Sequence, residues 1–176
     1  LVMAIAGQQR EPVAISNFVM GIKCGASDAT SGIASNCAIG YVADKIVDLG
    51  GTVVFGETTE FIGAEHILAR RAVTPEVGEA ILKIVEQMER RAKSLGCDMR
   101  KGQPTPGNIA GGLSSIEEKS LGAIVKSGTR PIQGVMDYAD RVNGRKGLWI
   151  KDTPGREPEI LTGMAIAGAQ CILFST

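Results

Sequence analysis

The sequence predicts an α/β fold, a mainly parallel sheet with helices on both faces, and three observations carry that prediction. Five short β-like runs recur: Phe18 to Cys24, Thr52 to Gly56, Pro131 to Met136, Gly147 to Lys151, and Gln170 to Phe174. Helical patterns lie between them. Polar, glycine-rich segments gather directly after the runs, as at Cys24-Gly-Ala-Ser-Asp28 and Asp152-Thr-Pro-Gly155. Strand and helix in alternation define the Rossmann-like class, with the sheet covered on both sides.

The helices have start and stop signals. Asn36 is placed to cap a helix running to about Leu49, where Gly50-Gly51 ends it. A second helix is expected over Glu60 to Arg71. Thr74-Pro75-Glu76-Val77 supplies a cap and a proline at the first helical position. The helix that follows repeats Val77, Ile81, Ile84, Val85 and Met88 on one face and ends near Gly96. Its pairs Glu86/Arg90 and Glu89/Lys93 mark the solvent side. Asp98 to Gly112, with four glycines and two prolines, is expected to be loop. Ser114-Ser-Ile-Glu117 has the pattern of a capping box and opens a helix to about Lys126. A last helix is expected over Glu157 to Ala167. The chain stops at Ile172-Leu-Phe-Ser-Thr176, the end of a strand with no helix packing back. Residues 1–176 are therefore expected to form one α/β domain, truncated at its C-terminus, of a longer protein, and to be inactive alone.

The bulk numbers exclude several functions. The 176 residues carry 19 Lys plus Arg and 19 Asp plus Glu, a formal net charge of zero. Nothing in that balance points to nucleic acid or an anionic membrane. Apolar residues are 44% of the chain, yet no run approaches the roughly 18 residues of a membrane span. No signal peptide is recognisable, so a cytoplasmic protein is expected. The four cysteines, Cys24, Cys37, Cys97 and Cys171, are far apart and form no CxxC pair. Reduced thiols follow, without a zinc-finger spacing.

Ligands of open α/β sheets sit outside the carboxyl ends of the strands. Those ends supply Cys24 and Asp28, Glu57 to Glu60, Asp152 to Gly155, and Ser175-Thr176. Cys24 reads either as the last core residue of its strand or as a thiolate or metal ligand. Asp28 reads either as a turn-stabilising side chain or as a site residue. Glu60 at a helix start favours the dipole with or without chemistry. Glu57 is sharper, because a carboxylate directly ends the apolar Thr52-Val-Val-Phe-Gly56. His66, the sole histidine, aligns with Ile62, Ala69 and Val73 on its expected helix, and reads either as a core imidazole or as a ligand or base. Glu57, Glu60 and His66 together suit a divalent metal such as iron or manganese, although their spacing matches no standard motif. Gln103 to Gly112, running into the capped helix, resembles an anion-holding loop, with Asn108, Lys119 and Arg130 as candidate carboxylate contacts. The absence of a P-loop ending and of GxGxxG argues against nucleotides.

Several blocks then carry a family resemblance. Lys23-Cys-Gly-Ala-Ser-Asp28, followed by Ser31-Gly-Ile and Asn36, resembles a Cys-Gly-Gly-Ser-Asp segment of the altronate and galactarate dehydratases. Gly50 to Glu60, Gly63 to Leu68 and Arg70-Arg-Ala-Val are similar to the family's next block. Pro104 to Leu113 with Glu118 to Gly122 resembles a third, and Asp152-Thr-Pro-Gly155 a fourth. Ala26 departs from a family glycine and Cys37 from a common proline; neither change touches the chemistry. Family members also carry more chain on both sides.

The resemblance implies a hydro-lyase that eliminates water from a sugar acid to give a 2-keto-3-deoxy acid, with a divalent metal, often ferrous iron. For that chemistry Glu57, Glu60 and His66 are the acid/base candidates and Cys24, Glu57 and His66 the metal candidates, a division of roles that the resemblance does not fix. Asp28, Asn108, Lys119 and Arg130 become the substrate-binding candidates. The expected partners are a small sugar acid and the remaining domains of the parent protein, with homo-oligomerisation left open; nucleic acid and membrane are not expected. Two alternatives stay open: the large subunit of a sulfolactate sulfo-lyase, and a non-catalytic scaffold domain.

Overall fold

The computed structural model describes residues 2–175, for Ala4 the backbone alone. Five strands, β1 (Val19–Cys24), β2 (Thr52–Phe55), β3 (Ile132–Met136), β4 (Gly147–Lys151) and β5 (Cys171–Ser175), form one sheet in the order β3-β4-β2-β1-β5. Every pairing is parallel, with Val19 opposite Thr52, Thr52 opposite Gly147, and Met20 opposite Cys171. All carboxyl ends therefore lie on one edge, and the loops that leave them share a neighbourhood.

The helices are α1 (Val2–Ala6), α2 (Ser35–Asp48), α3 (Glu65–Arg70), α4 (Pro75–Ser94), α5 (Met99–Gly102), α6 (Pro106–Ala110), α7 (Ile116–Ile124) and α8 (Glu157–Ala167). Alternate strand residues face opposite ways, and the two faces have separate cores. On one face Met20, Ile22, Val53, Phe55, Leu148 and Ile150 pack with Ala43 and Ile46 of α2, Leu68 of α3, Ile81, Ile84 and Val85 of α4, and Ile116 and Ile124 of α7. On the other, Val54 and Met136 pack with Ile160, Met164 and Ala167 of α8. The five strands and the two-sided covering agree with the sequence reading.

Local differences have physical causes. Asn36 does not cap α2; it sits buried one residue inside, where its amide donates to Gly122 O at 2.8 Å and its Oδ1 accepts from Ser175 Oγ. Glu60 closes a 3-10 turn (Thr58–Glu60), and the helix proper begins at Glu65. The segment expected as loop contains α5 and α6. Asp98 caps α5, while Thr105 and Asn108 cap α6 reciprocally. The capping box of α7 is shifted by one residue: Ser115 Oγ accepts from Glu118 N–H, and Glu118 accepts from Ser114. Glu89 pairs with Arg100 at 2.8 Å instead of its helical neighbour Lys93.

One close approach sets the position of a functional side chain. A Cβ on Gly40 of α2 would collide with the carbonyl of Val125, in the 3-10 turn Val125–Ser127 that follows α7. That turn carries Lys126. Gly40→Ala is expected to destabilise the fold by about 1–3 kcal/mol, the usual range for overpacking. Gly102→Ala, which meets nothing within 4 Å, should be close to neutral. Urea midpoints of the two variants check this.

Candidate functional site

The chain leaves β2 through Gly56 and enters Glu57 in the left-handed region, at φ 67° and ψ 61°. A non-glycine residue pays roughly 1–2 kcal/mol for that conformation, so the surroundings must hold it. Thr153, just past the end of β4, does so from both sides. Its Oγ1 accepts the Glu57 N–H at 2.8 Å and its carbonyl accepts the Thr58 N–H at 3.0 Å. Asp152 adds a bond from Thr58 Oγ1 at 2.6 Å. Held this way, the Glu57 side chain turns back under β1, where its Oε2 accepts the Cys24 N–H at 2.6 Å.

Three lysines gather around two carboxylates. Lys126, 1% exposed, bridges Glu60 Oε2 at 2.6 Å and Glu57 Oε2 at 3.3 Å. Lys23 reaches Glu57 Oε1 at 3.3 Å, and Lys119 lies 4.0 Å from Glu60 Oε1. Lys119 also donates to Gln103 Oε1 at 2.9 Å and Asn108 Oδ1 at 3.3 Å. Asn108 in turn donates to Ser27 O at 2.9 Å, tying the α6 segment to the turn after β1. Above the cluster opens a cleft of ≈ 290 Å3, lined by Lys23, Cys24, Glu57, Glu60, Lys119 and Arg156 among others.

The environment separates the two carboxylates. Burial, and then the neighbouring Glu60 charge, push the Glu57 carboxyl above the ordinary range against the pull of Lys126. Burial acts on Glu60 in the same direction, but the direct contact with Lys126 outweighs it and holds Glu60 below the ordinary range. Burial alone would lower Lys126; Glu60 and Glu57 instead keep its ammonium above the usual lysine range. The Cys24 thiol is pushed up to about 11 by burial and then by Glu60, although it touches Ser27 Oγ at 3.1 Å.

Not every residue singled out in the sequence comes to this place. Glu57, Glu60, Cys24 and Lys119 line the cleft, and Asn108 braces Lys119. Asp28 is exposed, and its Oδ1 accepts from Thr30 N–H at 2.7 Å and Ser31 N–H at 3.0 Å, which is the turn-stabilising alternative. It borders an adjoining hollow with Asn108 and Lys119. Arg130 precedes β3 at the opposite edge of the sheet and makes a two-pronged pair with Asp48, 2.6 Å on each side, so its guanidinium is spent there. His66 is exposed in the first turn of α3, neither in the cleft nor in the core. The Gln103–Gly112 segment spends much of its backbone N–H on its own carbonyls, as in Ile109 to Thr105 and Gly111 to Gly107, instead of presenting a free anion cradle.

The metal expectation meets the same geometry. Among the described residues no group of three or more His, Cys, Asp and Glu stands together, so Cys24, Glu57 and His66 are not assembled as ligands. Between Glu57 and Glu60 the cation is the Lys126 ammonium on both Oε2 atoms, and two further lysines face the Oε1 atoms. Paired with ammonium groups in this way, these donors do not fit a resident divalent ion.

Lys126, Lys23, Thr153 and Arg156 were missed as site residues. Lys126 reads as a cation at a helix C-terminus, a favourable surface placement. The one available signal was its context, a single charge within Gly122-Ala-Ile-Val-Lys-Ser-Gly128. Lys23, the single charge in Phe18 to Cys24, gave the same kind of signal.

The fold is thus a parallel α/β sheet of the Rossmann-like class with a charged cluster and a small cleft at its carboxyl edge, where ligands of such sheets sit. The chain belongs to the D-galactarate/altronate dehydratase C-terminal family, which matches residues 15–176. It is 41% identical over 172 residues to a (2R)-sulfolactate sulfo-lyase subunit beta of Chromohalobacter salexigens, covering 96% of this chain and 43% of that one. It is 38% identical to a galactarate dehydratase (L-threo-forming) of Escherichia coli, covering 96% and 32%, and 36% identical to an altronate dehydratase of Bacillus subtilis, covering 98% and 34%. The chain thus spans about a third to two fifths of the length of these relatives. No helix among the described residues is long and apolar enough to cross a membrane.

Two outcomes follow for the cluster. Lys126→Met removes the cation shared by two buried carboxylates, the nearest one to Glu60, and is expected to lose about 3–5 kcal/mol at neutral pH. In the native protein Glu60 lies below its ordinary 4.5, so its contribution is present above that pH and is lost on acidification. In the variant Glu60 shifts above 4.5, and its contribution runs the other way, present at low pH and lost as pH rises. The stability gap between the two proteins should therefore shrink from pH 8 to pH 5 in urea unfolding; a constant gap would contradict the pairing. Second, limited alkylation at pH 7.5 followed by mass spectrometry should label the exposed Cys37, Cys97 and Cys171 well before the buried, protonated Cys24.

Proposed function

We propose that the chain supplies the proton-transfer machinery of a lyase that removes water from an aldonate- or aldarate-type sugar acid and yields a 2-keto-3-deoxy acid. The observation that carries this reading is Glu57, buried, held in a left-handed turn, raised in pKa and facing a small cleft between Lys23 and Lys126. A proton α to a carboxylate is weakly acidic, and a desolvated carboxylate is a stronger base than one in water. Glu57 removes that proton, and the ammonium groups around it hold the charge that develops on the substrate's enediolate. The β-hydroxyl leaves as water, taking the proton that Glu57 gained, and the enol product rearranges to the 2-keto acid. Lys119 holds the substrate carboxylate from the Gln103–Asn108 side.

A second reading uses the same first step. Loss of sulfite in place of water needs no protonation of the leaving group, because sulfite departs as an anion. The 41% identity to a sulfolactate sulfo-lyase subunit favours keeping this reading beside the first. His66 and Arg130 receive no role in either, and the expected ferrous iron is assigned no step, since the donors around Glu57 and Glu60 do not fit it. The remaining domains of a longer polypeptide, and further copies of the chain, are proposed partners; residues 1–176 alone are expected to be inactive.

The test is turnover by the intact polypeptide of altronate, galactarate and sulfolactate, with 2-keto acid and sulfite measured separately. Glu57→Gln should lower kcat by at least about a hundredfold, the lower end for loss of a general base, while the protein remains folded. Water loss without sulfite selects the dehydratase; sulfite release selects the sulfo-lyase. No product from any of the three would move the weight to a scaffold.

A further inference from the structure

Lys126 reaches the two glutamates from the turn Val125–Ser127, and that turn is held from outside the cleft. Arg71 directly follows α3 and does not line the cleft. It lines a separate hollow of ≈ 480 Å3, with Gly40, Val125 and Gly128. From there its guanidinium grips the turn. Nη1 donates to Ser127 Oγ at 2.8 Å, and Nη2 donates to Ser127 O at 3.3 Å and to Arg130 O at 2.9 Å. The Ser127 hydroxyl donates in turn to Ile124 O at 2.7 Å, so the grip extends to the last turn of α7. The main chain of Arg71 is anchored as well, its carbonyl accepting the Ile132 N–H at 2.8 Å at the start of β3. Arg71 thus joins the sheet to the residue next to Lys126. An ion pair does not account for a cation in this position. Asp44 of α2 is the neighbouring carboxylate, but its oxygens accept from Thr129 N–H, Thr129 Oγ1 and Arg130 N–H. Burial draws the Arg71 guanidinium below the usual arginine range, and its Nε is buried without a hydrogen-bond partner among the described residues. A planar fork spanning three acceptors is a task for arginine more than for lysine.

We infer that Arg71 is a positioning residue for the proton-transfer cluster, clamping the Val125–Ser127 turn so that the Lys126 ammonium stays between Glu57 and Glu60. As a statement about catalysis this rests on the proposed lyase reading; as a statement about the two carboxyls it stands alone. Lys126 projects from a single 3-10 turn, so a small shift of its main chain changes the 2.6 and 3.3 Å separations on which the two carboxylates depend. Lys23 on β1 and Lys119 on α7 are the other cations facing them, and neither carries a bond from Arg71. With the Lys126 ammonium drawn back, both carboxyls lose an attraction that lowers them, and both titrate higher.

Four variants of the intact polypeptide test this. Arg71→Gln removes the clamp and its charge, and Arg71→Lys keeps the charge but loses the fork. Ser127→Ala removes one acceptor without touching a charge, and Arg70→Gln removes the exposed charge next door. Carbon-13 NMR of the glutamate carboxyls should show the Glu57 and Glu60 titrations raised by about half a unit or more in Arg71→Gln. They should rise by less in Arg71→Lys and Ser127→Ala, and stay put in Arg70→Gln. In steady-state kinetics Arg71→Gln should lower kcat about tenfold or more with KM little changed, because Arg71 touches no substrate. The acid limb of kcat/KM should move to higher pH with the Glu57 titration. Unmoved titrations in folded Arg71→Gln and Ser127→Ala would make the contact merely structural and overturn the inference. So would an Arg71→Lys protein identical to the native one, since long-range charge alone would then explain the effect. If Arg71→Gln does not fold, Ser127→Ala decides by the same readings. If no substrate is turned over, the lyase reading has failed separately, and the titrations still decide.

Discussion

The geometry of the carboxyl edge depends on the bond between the Glu57 N–H and Thr153 Oγ1. A strand that continued past Phe55 in extended form would send the next side chain up and away from the sheet. The left-handed residue instead folds the chain back, so that the carboxylate lies beneath the Cys24 N–H and between two ammonium groups. Thr153 can make the bond because β2 and β4 are direct parallel neighbours, with Phe55 at the end of β2 opposite Ile150 near the end of β4. The strain at Glu57 is thus offset by bonds to the hydroxyl and carbonyl of Thr153, 96 residues away in sequence. Backbone strain of this sort is characteristic of functional sites.

The rest of the scaffold delivers cations to that carboxylate. Gly40 lets α2 approach the turn after α7 closely enough to seat Lys126. Asn36, buried at the start of α2, bonds both to Gly122 of α7 and to Ser175 of β5, locking three elements around the cluster. The Asn108 side chain ties α6 to the turn after β1 and accepts from Lys119. Each of these contacts is small. Together they place three lysines around two glutamates in a setting where the energy of a buried charge depends on its partners. The asymmetry between Glu57 and Glu60 follows from distance, since Lys126 is 2.6 Å from one and 3.3 Å from the other.

Much of this was legible in the sequence, and the illegible part has a common cause. Five strands, the polar edge and Glu57 could be read because strand ends are local features. A carboxylate directly after Thr52-Val-Val-Phe-Gly56 has few surface interpretations. The cations could not be placed, because nothing near Lys126 in sequence reveals that its partners lie 66 and 69 residues earlier. His66 was misjudged by helical phase: the expected helix began at Glu60, but the 3-10 turn and Gly63, at φ +91°, reset the register before α3 starts at Glu65. Arg130 was read as a contact for a substrate carboxylate because Asp44 and Asp48, which hold it, belong to a distant helix.

The split between the two carboxylates is the claim on which the mechanism rests. Carbon-13 NMR of the intact protein labelled at glutamate side-chain carboxyls, with Glu57→Gln and Glu60→Gln for assignment, reads it directly. The account predicts two coupled titrations, one above the ordinary glutamate range that disappears in Glu57→Gln and one below it that disappears in Glu60→Gln. Two carboxyls titrating together near the ordinary value would contradict it.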